Sequence, residues 1–363
     1  MSSYFESLKQ AMTATPAWDG ESANLVHLTN AHGMSVTLMD IGATWLSCQL
    51  PLNGQRREVL LRAYDMAAHQ AQTAYLGAIV GRFANRIAHG RFTLDGHDYQ
   101  IDTQQSGENH ESDDNNGEHA LHGGEEGFDR RRWQMTQPHA QQVVFTLQST
   151  AGDQGFPGNL DVQVSYTLSD DNALHIDYRA TTDTLCPVNL TNHAYFNLAG
   201  EGSSASVLDH ALQLAANAYL PTDSGLIPTG EQKSVQGTSF DFRQAKQIGA
   251  DFLQDADQQL AGGYDHAFIL DTDRTDGVTP VATLIAPNAD VTLTVATTKP
   301  ALQVYSGNFL AGTHGASGTY QNYAGVALES EYFPDAPNHP EWQMGILAPD
   351  DIYQHQTVYR FEF

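Results

Sequence analysis

The feature that most constrains this chain is a recurrent alternation of apolar and polar residues. It runs through Gln142 to Ser149, Val162 to Leu168, Ala173 to Arg179 and Val291 to Thr298. Successive side chains of a strand point to opposite faces, so a period of two fits half-buried strands and not helices. These runs are rich in Val, Ile, Thr and Tyr, which suit a pleated surface. Turn residues separate them at Gly152 to Gly158, Ser169 to Asn172 and Pro287 to Asp290. Arg91 to Ile101 reads as a hairpin closed by Asp95 and Gly96. Helical candidates are short: Tyr4 to Met12, Tyr64 to Tyr75 and Phe242 to Leu253. They do not alternate with strands, which excludes a doubly wound sheet. The expectation is an all-β, mainly antiparallel fold, a large β-sandwich with a few short helices. No Pro- or Ser-rich linker and no fixed-period repeat divides the chain, so a single domain over residues 1–363 is expected.

Charge narrows the partners. The 43 acidic and 17 basic residues leave a formal net charge of -26. Nucleic acid and anionic membrane surfaces need clustered Lys and Arg, so neither is an expected partner. With four lysines in the whole chain, a polyanionic substrate is also disfavoured. Cys48 and Cys186 are too few for a disulfide framework and read as small buried hydrophobes. The first ten residues lack the basic and apolar regions of a secretory signal. No apolar run reaches the length of about 18 residues that a membrane span needs. A reducing, cytoplasmic setting follows.

Several chemistries are missing their motifs. The chain has no phosphate-binding loop, no dinucleotide fingerprint, no nucleophile elbow and no Cys-x-x-Cys pair. His119 and His122 have a metal-like spacing but stand beside a glycine turn, without an evident third ligand. The acidic segment Ser106 to His119 reads as a solvated loop. As a calcium loop with Gly117 at its sixth position it would begin at Ser112 and end at Gly123, and neither is a carboxylate. No metal or other cofactor is therefore expected. Arg130 to Arg132 reads as a salt-bridged face.

What remains is a set of polar residues in segments that mix strand-like runs with Gly, Asn and Pro. They lie in Gly81 to Ile87, His119 to Gly124, Leu190 to Asn197, Gly263 to Phe268, Leu302 to Asn308 and Gly325 to Asp335, with aromatics adjoining several. Convergent hydrogen-bonding groups beside aromatic faces suit a pyranose, which offers hydroxyls on its rim and an apolar C–H face.

Taken in order, these segments resemble the aldose 1-epimerase (galactose mutarotase) family from about Val26 to the C-terminus. Gly-Arg-Phe-Ala-Asn-Arg-Ile from Gly81, Leu-His-Gly-Gly from Leu121, Thr-Asn-His-Ala-Tyr-Phe-Asn-Leu from Thr191, Tyr-Asp-His from Tyr264 and Leu-Glu-Ser-Glu from Leu328 carry the resemblance. Asp153 to Asn159 lies between them. The resemblance implies an antiparallel supersandwich with the sugar in an open cleft. It also implies exchange of the α and β anomers of free aldohexoses, without metal or nucleotide. By the family motifs Glu329 is the base and His193 the acid. Asn85, Arg86, His122, Asp265 and Gln303 hold the substrate, a small aldose bound by a monomer or homodimer.

The residue types fit that chemistry. Opening the ring takes a proton from the O1 hydroxyl and delivers one to the ring oxygen O5, which a carboxylate and an imidazolium can do together. The base is therefore expected ionised and the acid protonated near neutral pH, with Glu329 or Asp265 raising the imidazole pKa. Plain structural roles stay open for each residue: a cross-strand ion-pair partner for Glu329, a core histidine for His193, a local ion pair for Arg86, a turn former for Asn85, a turn cap for His122 and a strand glutamine for Gln303. Glu331 competes with Glu329 from the same strand face. Against the family pattern, Glu108 to Glu118 reads as an insertion before Leu121, either a lid or a tolerated surface loop. A hexose-6-phosphate mutarotase and a non-catalytic sugar-binding protein are the competing functions.

Overall fold

The computed structural model describes residues 3–103, 119–342 and 344–363; the acidic insertion Glu108 to Glu118 lies outside them. The alternating runs are strands. Gln142–Ser149, Leu160–Leu168 and Ala173–Thr182 form a meander in antiparallel register, with Phe145 opposite Val164 and Val164 opposite Tyr178. Those three residues are buried. Tyr353–Glu362 pairs with Ala173–Thr182, and Thr292–Thr297 pairs with Tyr353–Glu362 in turn. The result is a nine-stranded sheet.

A six-stranded sheet contains Tyr195–Phe196, Val326–Glu331, Ala301–Tyr305, Asp265–Leu270, Ala216–Tyr219 and Lys233–Ser234 in that order. A four-stranded sheet, Leu25–Thr29 to Gln55–Glu58, completes the large elements. Every strand ladder among the described residues is antiparallel. One hydrophobic cluster joins Trp45 of the four-stranded sheet, Val164 and Leu293 of the nine-stranded sheet, and Phe268, Leu302, Val304 and Leu328 of the six-stranded sheet. Each such side chain contributes about 1.5–3 kcal/mol of burial free energy. The two larger sheets also touch through polar atoms: Tyr359 Oη donates to the Leu328 carbonyl at 3.0 Å.

The hairpin forms as expected, Arg91–Leu94 against His97–Gln100, with positive φ at Asp95 and Gly96. The first helix is Ser3–Thr13, seated through Phe5, Leu8 and Met12. The second, Met66–Ala71, is shorter than the span Tyr64 to Tyr75 and is capped by Asp65, whose side chain accepts from the Ala68 amide. The third expectation fails: Phe242 to Leu253 is not helical. Phe242 is a buried core residue, Lys246–Gln247 pairs as a strand with Ala211 and Leu212, and Gly249 lies against the Leu208 carbonyl. Tertiary pairing overrides the local pattern there. A helix follows instead at Ala256–Ala261, stopped by Gly262 at φ 69°.

Candidate active site

Strand periodicity builds the floor of the site. Along Asp265–Leu270, Ala301–Tyr305 and Val326–Glu331, the residues Phe268, Leu302, Val304 and Leu328 face the core. The intervening positions, Asp265, Gln303, Tyr305, Glu329 and Glu331, fall on the other face. Register aligns them: Gln303 lies opposite Glu329, and Asp265 opposite Tyr305. Gln303 Nε2 donates to Asp265 Oδ1 at 2.6 Å, while the buried Gln303 Oε1 has no protein partner.

Loops supply the rest. Asn85 has φ 68° and His122 φ 52°, and the Asn85 amide donates to His122 Nδ1 at 3.1 Å. An accepting Nδ1 leaves the His122 proton on Nε2. Gly123 allows this approach: a Cβ there would stand 2.0 Å from the Gly81 carbonyl oxygen. The neighbouring loop is anchored by Arg82, whose guanidinium donates to the carbonyls of Pro157 and Gly158 at 2.6 and 3.0 Å. His193 is fixed by its backbone, donating to the Ala78 carbonyl and accepting from the Gly77 amide.

The structure brings the expected residues together. His193 Nε2 lies 3.5 Å from Glu329 Oε1, and both side chains are buried. Arg86 Nη1 lies 3.7 Å from Asp265 Oδ2. Asn85 Nδ2 donates to Glu331 Oε1 at 2.8 Å, so Asn85 is partly committed to its own scaffold. The His122 and His193 rings meet edge to face at 5.3 Å. Glu329 Oε2 and His193 Nδ1 are buried without a protein partner, as groups awaiting a ligand would be. Ligand atoms of His122, His193 and Glu329 lie within 4.8 Å of one another, a spacing that could also hold a cation.

Electrostatics correct one expectation. Burial, reinforced by Glu331 and Asp265, pushes the Glu329 carboxyl well above the usual carboxylate range. Burial pushes His193 down to about 4. The neighbouring carboxylate does not overcome this desolvation. Both shifts favour one shared proton on Glu329 over the ion pair, across a separation of 3.5 Å. Burial, with His193 and Arg86, likewise pushes His122 well below its ordinary value.

His119 does not join His122: its Nδ1 accepts from the His89 amide. Arg131 and Arg132 form ion pairs with Asp153, Asp19 and Asp40, away from the site residues, as a salt-bridged face should. Sequence reasoning missed three tyrosines. Tyr75 stacks on His193 at 5.8 Å, Tyr195 flanks it at 4.9 Å and Tyr305 meets it edge-on at 6.5 Å. Tyr195 was legible within its motif, but Tyr75 reaches His193 only through the tertiary fold.

Comparison with known proteins places this geometry. The sequence profile of the family Aldose 1-epimerase matches residues 24–360. The chain is 50% identical over 357 residues to the aldose 1-epimerase of Escherichia coli (strain K12), covering 96% of this chain and 99% of that one. It is 41% identical over 310 residues to the galactose mutarotase of Bos taurus, covering 85% of each. Among solved structures it is similar to a GalM/aldose epimerase homologue from C. elegans, at 28% identity and a TM-score of 0.80, covering 94% of this chain and 99% of that chain. Galactose 1-epimerase from Lactobacillus acidophilus NCFM gives 29% identity and a TM-score of 0.78, covering 94% and 98%. The antiparallel sandwich anticipated from strand alternation, and the galactose mutarotase-like fold and family implied by the five motifs, are thus both found, and this chain belongs to the aldose 1-epimerase family.

Proposed function

We propose that this protein is an aldose 1-epimerase, an isomerase that interconverts the α and β anomers of free aldohexoses such as D-galactose and D-glucose. The observation that carries the reading is the buried apposition of His193 Nε2 and Glu329 Oε1 at 3.5 Å. Family relatives named aldose 1-epimerase and galactose mutarotase support it.

The reaction starts from the ion-pair isomer, in which a sugar hydroxyl donated to Glu329 replaces lost solvation. Glu329 takes the O1 proton while His193 delivers one to O5. The C1–O5 bond breaks and C1=O1 forms. Glu329 is then protonated and His193 neutral, the arrangement that burial favours in this site. The open aldehyde rotates about C1–C2. Reversal of both transfers closes either face. Two proton transfers suffice, so this scheme uses no cofactor and no covalent intermediate. Arg86 and the His122 Nε2–H serve as donors to sugar hydroxyls, Asp265 and Gln303 Oε1 as acceptors, and Asn85 orders the rim. The unit at work is a single domain spanning the chain, as a monomer or homodimer. Its setting is cytoplasmic, in keeping with two free buried cysteines.

A sugar phosphate needs cations free to hold it, whereas Arg86 is engaged by Asp265. Polarimetry on freshly dissolved α-D-galactose and α-D-glucose, with glucose 6-phosphate alongside, tests the reading. We expect accelerated mutarotation of the free sugars, and Glu329→Gln or His193→Gln to lose about 10²–10⁴-fold in kcat. No acceleration by the wild type, or faster turnover of the phosphate, refutes it.

A further inference from the structure

Behind the site lies a buried lysine that the proton transfers do not use. Lys299 is wholly inaccessible. Its Nζ donates to Asn189 Oδ1 at 3.0 Å and to Tyr353 Oη, and lies over the rings of Tyr332 and Tyr353 at 3.9 and 4.5 Å. These partners lead to three site segments. Asn189 Oδ1 also accepts from the Tyr332 amide at 3.0 Å, directly after Glu331. Asn189 Nδ2 donates to the Ala84 carbonyl at 3.3 Å, directly before Asn85 and Arg86. Tyr353 Oη accepts from the Leu190 amide at 2.9 Å, three residues before His193. Glu331 makes a parallel link. Its Oε1 accepts from Asn85, whose backbone amide orients His122.

An ammonium removed from water is costly and adds little stability when its hydrogen-bond partners are neutral. Burial pushes the Lys299 amine well below its ordinary value, and Glu331 opposes that shift. Glu331 itself faces Asn85, Lys299, Asp265 and Arg86. Three acidic side chains, Asp265, Glu329 and Glu331, thus share this interior with Arg86, Lys299 and the His193 imidazole. A buried polar group held this way fixes geometry more than it stabilises the fold.

We infer that Lys299, Asn189 and Glu331 are positioning residues of the epimerase reaction, tying the segments that carry Asn85, His193 and Glu329 into one register. The inference rests on the function proposed above. Lys299→Met keeps the length and apolar stem of the side chain and removes the tie. It should lower kcat by about 10–100-fold, the size of effect that misplaced reacting groups produce. KM should stay within about twofold, because binding in the ground state is little altered. Glu331→Gln keeps an acceptor for Asn85 and Glu331→Ala does not, so kcat of the first should exceed that of the second by about tenfold.

Three results overturn the inference: Lys299→Met with wild-type kcat at a temperature well below its melting point, a loss carried by KM alone, or equal kcat for the two Glu331 variants. If Lys299→Met fails to fold, the Glu331 pair decides. Wild-type mutarotase activity is the control. Without it the proposed function fails, whereas active wild type with unaffected variants removes only the positioning role.

Discussion

At the residue scale, desolvation sets the behaviour of the titratable groups. In the reaction proposed above, the Glu329–His193 pair works with one proton. A second proton enters as pH falls toward about 4, where His193 titrates. The last proton leaves only well above the usual carboxylate range. The expected kcat/KM profile is a bell with its acid limb within about one unit of the His193 value and its alkaline limb far from an ordinary glutamate. Polarimetry across pH, corrected for buffer catalysis, checks this. An acid limb near the unperturbed histidine pKa would contradict it. His69 shows the same physics without function. It is buried beside Trp18, neither ring nitrogen has a partner, and burial pushes it down to about 4. A histidine depressed in the fold stabilises above the unfolded pKa and loses that contribution as pH falls from about 6.5 toward 4. The loss amounts to about 3 kcal/mol. His69→Leu removes two unsatisfied nitrogens. It should raise the melting temperature at pH 7 and flatten its decline toward pH 5; unchanged melting curves at both pH values would count against this account.

At the element scale, what was legible follows from how local each signal is. Strand alternation is intrinsic to the pleat, so Gln142–Ser149 and its neighbours could be read directly. The turn at Asp95 and Gly96 was equally local. The segment Phe242 to Leu253 was misread because its conformation depends on Ala211 and Leu212, distant in sequence. The site divides the same way. Residues gathered in short motifs were nameable, whereas Lys299 gave no signal because its role depends on Asn189 and Tyr353. Gly123 shows why one motif has its form. With φ 100° and a virtual Cβ 2.0 Å from the Gly81 oxygen, the position rejects a side chain. Gly123→Ala should cost about 1–3 kcal/mol of stability through backbone strain. It should also reduce kcat by displacing His122, and thermal melts with steady-state kinetics would reveal both. Intact activity would mean that His122 does not depend on this loop.

At the scale of the whole molecule, the net charge of -26 is mostly unpaired. Many of the scarce cations are already taken: Arg57 by Asp290, Arg131 by Asp153, Arg132 by Asp19 and Asp40, Lys233 by Asp257, Lys246 by Asp251 and Arg360 by Asp171. Most remaining carboxylates repel one another across the surface. Added salt acts on both sets. It weakens the exposed pairs, worth about 0–1 kcal/mol each. It also screens the repulsion, whose range shrinks from about 30 Å at 0.01 M to about 10 Å at 0.1 M. With 43 acidic residues against 17 basic ones, repulsions outnumber attractions, and screening should win. The melting temperature should therefore rise with sodium chloride over that range. A neutral sugar feels no steering from the field, so kcat/KM should stay flat over the same range. A melting temperature that falls with salt would show that the surface pairs dominate. A salt-dependent kcat/KM would mean that the surface charge reaches the site and that surface charge and chemistry are not separate.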